Sequence, residues 1–290
     1  MELHYYLHDV AGYINWLYFF HTWGFPARYG SISHIHGCEA CRSSWLLSFP
    51  KEEQEKAHEA IRLYDEAQAM LRQLDGTYQT HALVELLEAN GDGDDILCHP
   101  RTRLPMLRQQ HGDECLCWAD FLLPADSNQK DTMGVYATSV DEGIVSNDDE
   151  YHHLLSQTLA DRLAEATAER MHETVRRELW GYAKEERLSV EEMFLEKYVG
   201  CRPAVGYPSL PDQSLNFLID ELIDMKRIGI QLTESGAMRP HASTSGLMFR
   251  HPKARHFSIG NIGNDQLSDY ARRRGMPEDT MRRFLAANLS

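Results

Sequence analysis

Apolar residues recur at helical spacing in several segments of the chain. Residues 51–74, "KEEQEKAHEAIRLYDEAQAMLRQL", place them three or four positions apart among charges, which predicts an amphipathic helix. Residues 150–182 predict a long helix with a leucine-rich buried face. Ser189 and Glu192 form the pattern of a capping box at the start of a short helix. Further helices are predicted over residues 214–225, 264–275 and 277–289, and a short helix or apolar turn over residues 7–23.

Other segments favour strands. Residues 81–89 and 95–99 flank the turn signal "NGDGD" and predict a hairpin. Because helices and strands mix without a regular β-α-β alternation, the pattern predicts an α+β fold with an antiparallel or mixed sheet. We also predict strands over residues 115–123, 133–140, 228–233, 246–251 and 255–262, and a loop over residues 30–44.

The charge balance narrows the function classes. The 290 residues carry 44 acidic against 29 basic side chains, a net charge of −15, which repels nucleic-acid backbones. The chain shows no signal-peptide pattern, and its early apolar run, "INWLYFF", is too short to span a bilayer. We therefore expect a cytoplasmic protein whose six cysteines are reduced thiols.

The stretch "HIHGCEAC" combines metal-ligand residue types. His34, His36, Cys38 and Cys41 offer the nitrogen and sulfur ligands that tetrahedral zinc takes. All four lie within eight residues, tighter than the usual two-knuckle spacing. We therefore predict a surface loop without metal and keep a zinc site as the weaker alternative.

The stretch "CRPAVGYPSLPD", residues 201–212, is a stiff turn with one cation. The guanidinium fork of Arg202 suits a carboxylate, Gly206 allows close approach to the backbone, and Tyr207 can stack or donate a hydroxyl. The alternative is that Arg202 caps the preceding helix. Glu165 and Glu196 lie on predicted helices, where carboxylates commonly form a solvated face.

The sequence resembles a known family. "RPAVGYP" is similar to the R-P-A-x-G-Y-P motif of the C-terminal activation domain of cobalamin-dependent methionine synthase. "YINWLYFFHTW", "ANGDGDDI", "LADRLAEATAERMHETVRRELWGYA", "LTESGAMRP", "SGLMFRHP" and "DYARRRGM" follow in that family's order, from about Leu7 to the C-terminus. The resemblance implies one activation domain over residues 1–290, with a variable loop at 30–50. The implied fold is a single C-shaped, helmet-like α+β domain with a twisted antiparallel sheet and flanking helices.

The function that the resemblance implies is reactivation of methionine synthase in methionine biosynthesis. Such a domain binds S-adenosylmethionine and supports reductive methylation of cob(II)alamin, with an electron from a flavodoxin-like reductase. The cobalamin is carried by the cobalamin-binding module of methionine synthase or by another corrinoid protein. The chain would then be an accessory domain of a methyltransferase without catalytic residues of its own, acting in trans or excised from a larger enzyme. The alternative is a non-catalytic interaction protein of a corrinoid methyltransferase with a degenerate ligand pocket.

The resemblance also assigns roles to residues. Arg202 would pair with the ligand carboxylate, while Glu165 and Glu196 would hold its cationic or hydroxylated parts. The full set implied to bind S-adenosylmethionine is Asn15, Glu165, Glu196, Arg202, Ala204, Gly206, Tyr207, His256 and Phe257. The set implied to face the corrin is Met238, Pro240, His241, Ala242 and Ser243.

Four residues, at three places in the chain, depart from the family pattern. Asn15 stands where the family has an acid, so this position carries no charge opposite the ligand. His256 and Phe257 stand where the family has two tyrosines, which removes the tyrosine hydroxyls. His241 replaces a glycine in the corrin-facing loop, which adds bulk or a potential cobalt ligand.

Overall fold

The computed structural model describes residues 1–100 and 102–289, which form two compact units. The first unit comprises Met1–Leu3, Ala82–Ser139 and Met171–Ser290, and the second comprises His4–His81 and Val140–Arg170. The strands are β1 (Glu2–Tyr6), β2 (Gln79–Asp92), β3 (Asp95–Cys98), β4 (Thr102–Pro105), β5 (Asp131–Val140), β6 (Gln231–Leu232), β7 (Met238–Arg239) and β8 (Ser243–Met248). The helices are α1 (Leu7–Ala11), α2 (Trp16–Thr22), α3 (Glu39–Leu47), α4 (Gln54–Leu74), α5 (Glu150–Thr174), α6 (Val190–Phe194), α7 (Leu215–Ile223), α8 (Asn264–Arg274) and α9 (Glu278–Phe284).

The main sheet has the strand order β4-β3-β2-β5-β8, and β1 pairs with β2. Strand β3 runs antiparallel to both β2 and β4, and β5 runs antiparallel to β8 with Tyr136 opposite Gly246. Strands β6 and β7 form a separate antiparallel hairpin. The α+β class, with a curled antiparallel sheet and flanking helices, is confirmed.

The core of the first unit centres on Trp118. Its fully buried ring stacks on Phe249 at 4.9 Å and packs against Phe257 at 4.8 Å between ring centroids. Its indole N–H donates to the carbonyl of Ser209 at 3.0 Å. One side chain thus packs the end of β8 together with two irregular segments of the chain.

The core of the second unit is aromatic. Tyr29 stacks on Phe49 at 4.9 Å, and Trp45 on α3 meets the same Phe49 edge-on at 4.7 Å. Trp16 on α2 contacts Tyr64 on α4 edge-on at 4.8 Å. Rings of this size bury much apolar area in few residues, which helps to order the short helices α2 and α3 of this unit.

Most of the predicted elements are confirmed. They include the hairpin of β2 and β3, strand β5, and helices α4, α7, α8 and α9. The capping box is present, with Ser189 Oγ accepting from the Glu192 N–H at 3.2 Å and Glu192 Oε2 accepting from the Ser189 N–H at 3.1 Å. The long α-helix is shorter than predicted. It ends at Thr174, and the next residues, Val175–Leu179, form a π-helical turn. Within the residues that the structure describes, no helix is both long and apolar enough to cross a membrane.

Three predicted elements are wrong. Residues 115–123 form no strand: Trp118–Phe121 is a 3₁₀ helix, and Cys115 is partly exposed with a φ of 45°. Residues 255–262 are largely irregular rather than a strand, because Phe257 packs on Trp118 instead of joining the sheet. The predicted loop over residues 30–44 contains the end of a 3₁₀ helix (Ala27–His34) and the start of α3.

Candidate functional site

The segment that carries Arg202 runs along β8 as a short, strand-like extension. Cys201 and Phe249 exchange two backbone hydrogen bonds, of 2.8 and 2.9 Å. The N–H of Leu247 donates to the carbonyl of Pro203 at 3.0 Å, and the N–H of Val205 donates to the carbonyl of Ser245 at 2.9 Å. The position of the arginine is therefore fixed by the sheet as well as by the prolines of its own loop.

This pairing depends on Gly246. A Cβ atom there would lie 2.1 Å from the carbonyl oxygen of Pro203 and 2.9 Å from Cα of Ala204. Both are backbone atoms, which cannot swing aside as a side chain can. Ala204 is buried in a bridge to the same glycine. Gly246 is thus a site residue that the sequence analysis missed.

The Arg202 side chain is buried, with 8% of its surface exposed. Its NH1 donates to the hydroxyl of Tyr136 at 3.1 Å, and its guanidinium carbon lies 5.3 Å from the centre of that ring. Tyr136 is fully buried on β5. Beyond Arg202 the chain turns at Gly206, which has a φ of 89°, and Tyr207 is half exposed. If Arg202 capped the preceding helix, its guanidinium would lie at that helix end. In the structure the guanidinium instead contacts Tyr136 on the sheet.

A buried histidine lies in the same unit. His172 is 1% exposed, and its ring meets Tyr198 edge-on at 4.9 Å. Burial, followed by the positive charges of Arg176 and Arg202 and the neighbouring His256, holds the pKa of His172 well below its usual value of 6.5. The imidazole is therefore neutral at pH 7 and adds no further positive charge.

Arg176 completes this buried cluster. Its guanidinium is fully buried, stacks over Tyr198 at 4.2 Å and contacts Glu186 through Nε at 3.0 Å and through NH2 at 2.5 Å. The sequence analysis missed both Arg176 and His172, although they lie in the "MHETVRR" part of the segment that resembles the family. Their spacing of four residues suits one face of a helix, but a helical face alone does not indicate a site.

Two other predicted ligand residues meet in this unit. The Nε2 of His256 lies 3.3 Å from a carboxylate oxygen of Glu196, which has the left-handed φ of 53°. The His256 ring lies edge-on to Trp118 at 6.4 Å, next to Phe257. The structure thus brings Glu196 and His256 together at the surface of the unit.

Asn15 and Glu165 belong to the second unit. Asn15 is the N-cap of α2, and its side-chain oxygen accepts the N–H of Leu17 at 3.2 Å. Asparagine and aspartate cap helices about equally well, so this part of the fold does not require an acid at position 15. Glu165 is partly buried on α5. A role of either residue in ligand binding stays a prediction.

The segment predicted to face the corrin follows the β6–β7 hairpin. Met238 on β7 pairs with Leu232. Ser243 donates its hydroxyl to the carbonyl of Pro240 at 2.8 Å and its N–H to the carbonyl of His241 at 2.7 Å, which forms a tight turn. His241 is exposed on this turn, whereas Ala242 is buried. A docking role for these residues stays a prediction.

The histidine- and cysteine-containing loop also has a defined geometry. His36, Cys38 and Cys41 each offer a ligand atom, and these atoms all lie within 4.8 Å of one another; His34 is outside this group. A hydrogen bond from His36, followed by hydrogen bonds from Cys41, lowers the pKa of Cys38 to about 7. The six cysteines of the described chain are all free thiols.

Two comparisons relate this architecture to known proteins. The model of the family described as "Vitamin B12 dependent methionine synthase, activation domain" matches residues 6–275. A crystal structure of the MetH reactivation domain bound to AdoHcy is 35% identical to this chain, with a TM-score of 0.86, and the match covers 100% of this chain and 90% of that chain. The chain therefore belongs to the family of activation domains of vitamin B12-dependent methionine synthase.

Proposed function

We propose that the chain binds S-adenosylmethionine through Arg202 and supports the reductive methylation of cob(II)alamin. The observation that carries this proposal is the buried guanidinium of Arg202, held on the sheet by Tyr136 at 3.1 Å. It is supported by the similar MetH reactivation domain, which was solved with AdoHcy bound. AdoHcy keeps the amino-acid end of S-adenosylmethionine, so one carboxylate-binding group serves both molecules.

The residues around Arg202 suit such a ligand. A guanidinium fork can hold a carboxylate through two parallel charge-assisted hydrogen bonds. Beside it, His172 is neutral, and within the described part of the chain neither of its ring nitrogens has a hydrogen-bond partner. Buried polar atoms are normally satisfied, so these nitrogens suit a polar ligand or an ordered water. The donor set therefore fits the amino-acid end of S-adenosylmethionine.

The role of this chain is positioning. S-adenosylmethionine supplies the methyl group, which cobalamin on a partner module accepts. Arg202 orients the ligand through its carboxylate, and the hydroxyl of Tyr136 holds the guanidinium. The pairing with β8 keeps the Arg202 backbone in place, and the exposed Gly206–Tyr207 turn lies next to it. This work needs no general acid or base from the chain, because holding two reactants in the right geometry itself accelerates a reaction.

We further propose the partners. They are the cobalamin-binding module of methionine synthase, or another corrinoid protein, and a flavodoxin-like reductase that donates the electron. The cytoplasm is the proposed location, supported by the six free thiols. Reactivation in trans is tested by adding the protein to cob(II)alamin methionine synthase that lacks its own activation domain. Methylcobalamin should form only when S-adenosylmethionine and reductant are both present.

Ligand binding is tested by isothermal titration calorimetry with S-adenosylmethionine and with S-adenosylhomocysteine. Arg202→Ala removes the buried charge and should weaken the binding free energy of either ligand by at least about 2 kcal/mol, which is roughly a 30-fold loss of affinity. Arg202→Gln keeps a hydrogen-bond donor near Tyr136 without the charge, and its affinity for the ligand should fall by a similar factor. Arg282→Ala, which removes an exposed arginine paired with Glu278, is the matched control and should bind as the wild type does.

The calorimetry also decides between this proposal and the interaction-protein alternative. That alternative is favoured by the imidazole of His256, which engages Glu196 where the family pattern has a tyrosine. It predicts no heat with either ligand at millimolar concentration, together with capture of a corrinoid partner that is independent of S-adenosylmethionine. Such a result from folded wild-type protein would overturn the proposed ligand site.

A further inference from the structure

The first turn of α3 brings together three metal-ligand residue types. Cys38 is the N-cap of α3, and Cys41 is the third residue of the helix. His36 precedes them, and its Nδ1 accepts the backbone N–H of Cys38 at 3.3 Å. One ligand atom from each of the three side chains lies within 4.8 Å of the other two. The cluster lies wholly within the second unit.

The helix itself explains this convergence. The side chains at the N-cap and at the third helical residue face each other across the first turn, which is the geometry that a capping box uses. In α3 these two positions hold thiols, those of Cys38 and Cys41. The helix N-terminus also presents unpaired N–H groups and a partial positive charge, which stabilise thiolates. The local fold thus directs two sulfur ligands to one point.

We propose that His36, Cys38 and Cys41 bind one zinc ion. Zinc binds thiolate sulfur at about 2.3 Å and imidazole nitrogen at about 2.0 Å, so tetrahedral ligands lie roughly 3.5–3.8 Å apart. Closing the present separation of at most 4.8 Å needs movements of about 1 Å, which rotations of these side chains provide. His36 and Cys38 are exposed and Cys41 is partly exposed, so the ion has a direct entry path.

The fourth position of the ion takes a water molecule. His34 does not join the three converging ligands, so the site has three protein ligands and one open position. Bound zinc would tie the turn at residues 36–38 to the first turn of α3. That helix is already linked to α4 through the Arg42–Asp65 ion pair, so the ion would add stability where the elements are short.

The test uses the full chain, purified under reducing conditions without chelators. We expect about one zinc per chain by elemental analysis. After zinc removal, Co²⁺ should give a thiolate-to-cobalt charge-transfer absorption and tetrahedral d–d bands. Removing a residue that only holds a metal ligand in place typically lowers metal affinity 10–100-fold. Cys38→Ser and Cys41→Ser each remove a ligand itself, so each should lower Co²⁺ affinity about 100-fold or more. His36→Asn should weaken binding and shift the d–d bands while keeping the charge-transfer absorption.

Two control variants separate this site from adventitious binding. Cys115→Ser removes another partly exposed thiol and His21→Asn removes an exposed imidazole, and both should bind Co²⁺ as the wild type does. Far-ultraviolet circular dichroism verifies that each variant is folded. The proposal is overturned if reduced wild-type protein, with Cys38 and Cys41 both reactive toward a thiol reagent, takes up no Co²⁺. Unchanged Co²⁺ spectra in a folded Cys38→Ser, Cys41→Ser double variant would also overturn it.

Discussion

Replacing His172 by phenylalanine should remove part of the acid sensitivity of the fold. The imidazole is 1% exposed, and the charged or titratable groups that face it are Arg176, Arg202 and His256, with Tyr198 against its ring. Burial is the largest cause of its lowered pKa, and the two guanidinium charges act in the same direction. Phenylalanine has nearly the same shape and cannot titrate, so it removes the proton-binding site while keeping the packing.

The sign and size of the effect follow from proton linkage. Below pH 6.5 the imidazole of the unfolded chain binds a proton, whereas the folded chain keeps His172 neutral. Protons therefore favour the unfolded state, and the stability associated with this group is fully present above pH 6.5 and declines as the pH falls below it. One such group contributes a loss of roughly 1 kcal/mol between pH 7.5 and pH 5.5.

Urea unfolding followed by tryptophan fluorescence at pH 7.5 and pH 5.5 measures this difference. The wild type should lose roughly 1 kcal/mol more than His172→Phe between the two pH values. Met171→Leu, a volume-conserving change at the preceding buried position, controls for altered packing and should keep the wild-type pH dependence. If His172→Phe and the wild type lose equal stability on acidification, His172 is not a neutral buried group and the electrostatic account of the site is wrong.

Two further predictions concern the frame around the site. Gly246→Ala should lower the free energy of unfolding, measured with urea, by at least about 2 kcal/mol, because its Cβ would lie 2.1 Å from the Pro203 carbonyl oxygen. The same change should weaken S-adenosylmethionine binding. A variant as stable as the wild type would contradict this close approach. Ser189→Ala should lower the stability of the fold by about 1 kcal/mol, because it removes the N-cap side chain of α6, and Ser189→Thr should keep most of that stability. Thermal unfolding measures both variants. Equal stability of all three proteins would contradict the capping role.

The sequence predicts those elements whose determinants are local. Helix α8 ends at Gly275, which adopts the left-handed φ of 65°, and α9 begins just after Pro277. The β2–β3 hairpin follows from the turn signal between two apolar runs. In each case a few adjacent residues fix the backbone, so periodicity and turn chemistry suffice.

The wrong predictions concern segments shaped by distant partners. Residues 115–123 have the composition of a strand, yet Trp118 is fixed by a hydrogen bond to Ser209, 91 residues along the chain. Asp95 begins the predicted strand over residues 95–99, but the sequence does not show that it is buried on β3 and forms an ion pair with Arg273, 178 residues along the chain. No window of the sequence contains both partners of these contacts, so pattern analysis cannot find them.

The candidate site also combines residues that the local sequence indicates with residues that only the fold brings together. Arg202 could be singled out because its loop combines a cation with glycine and proline. Tyr136, which holds it, is 66 residues away and reads only as part of an apolar strand. His172 likewise reads as one position on an amphipathic helix. The sequence therefore indicates the group that would contact a ligand, whereas the groups that set its position and charge emerge only from the fold.

The register between β5 and β8 explains why Arg202 lies where it does. Tyr136 pairs with Gly246, and the missing side chain of that glycine lets the Pro203 backbone approach β8. The same pairing brings the Tyr136 hydroxyl within 3.1 Å of the Arg202 guanidinium. A slip of one residue would turn Tyr136 to the opposite face of the sheet and oppose it to a residue with a Cβ. The prolines stiffen the loop, but the sheet register determines where its charge is held.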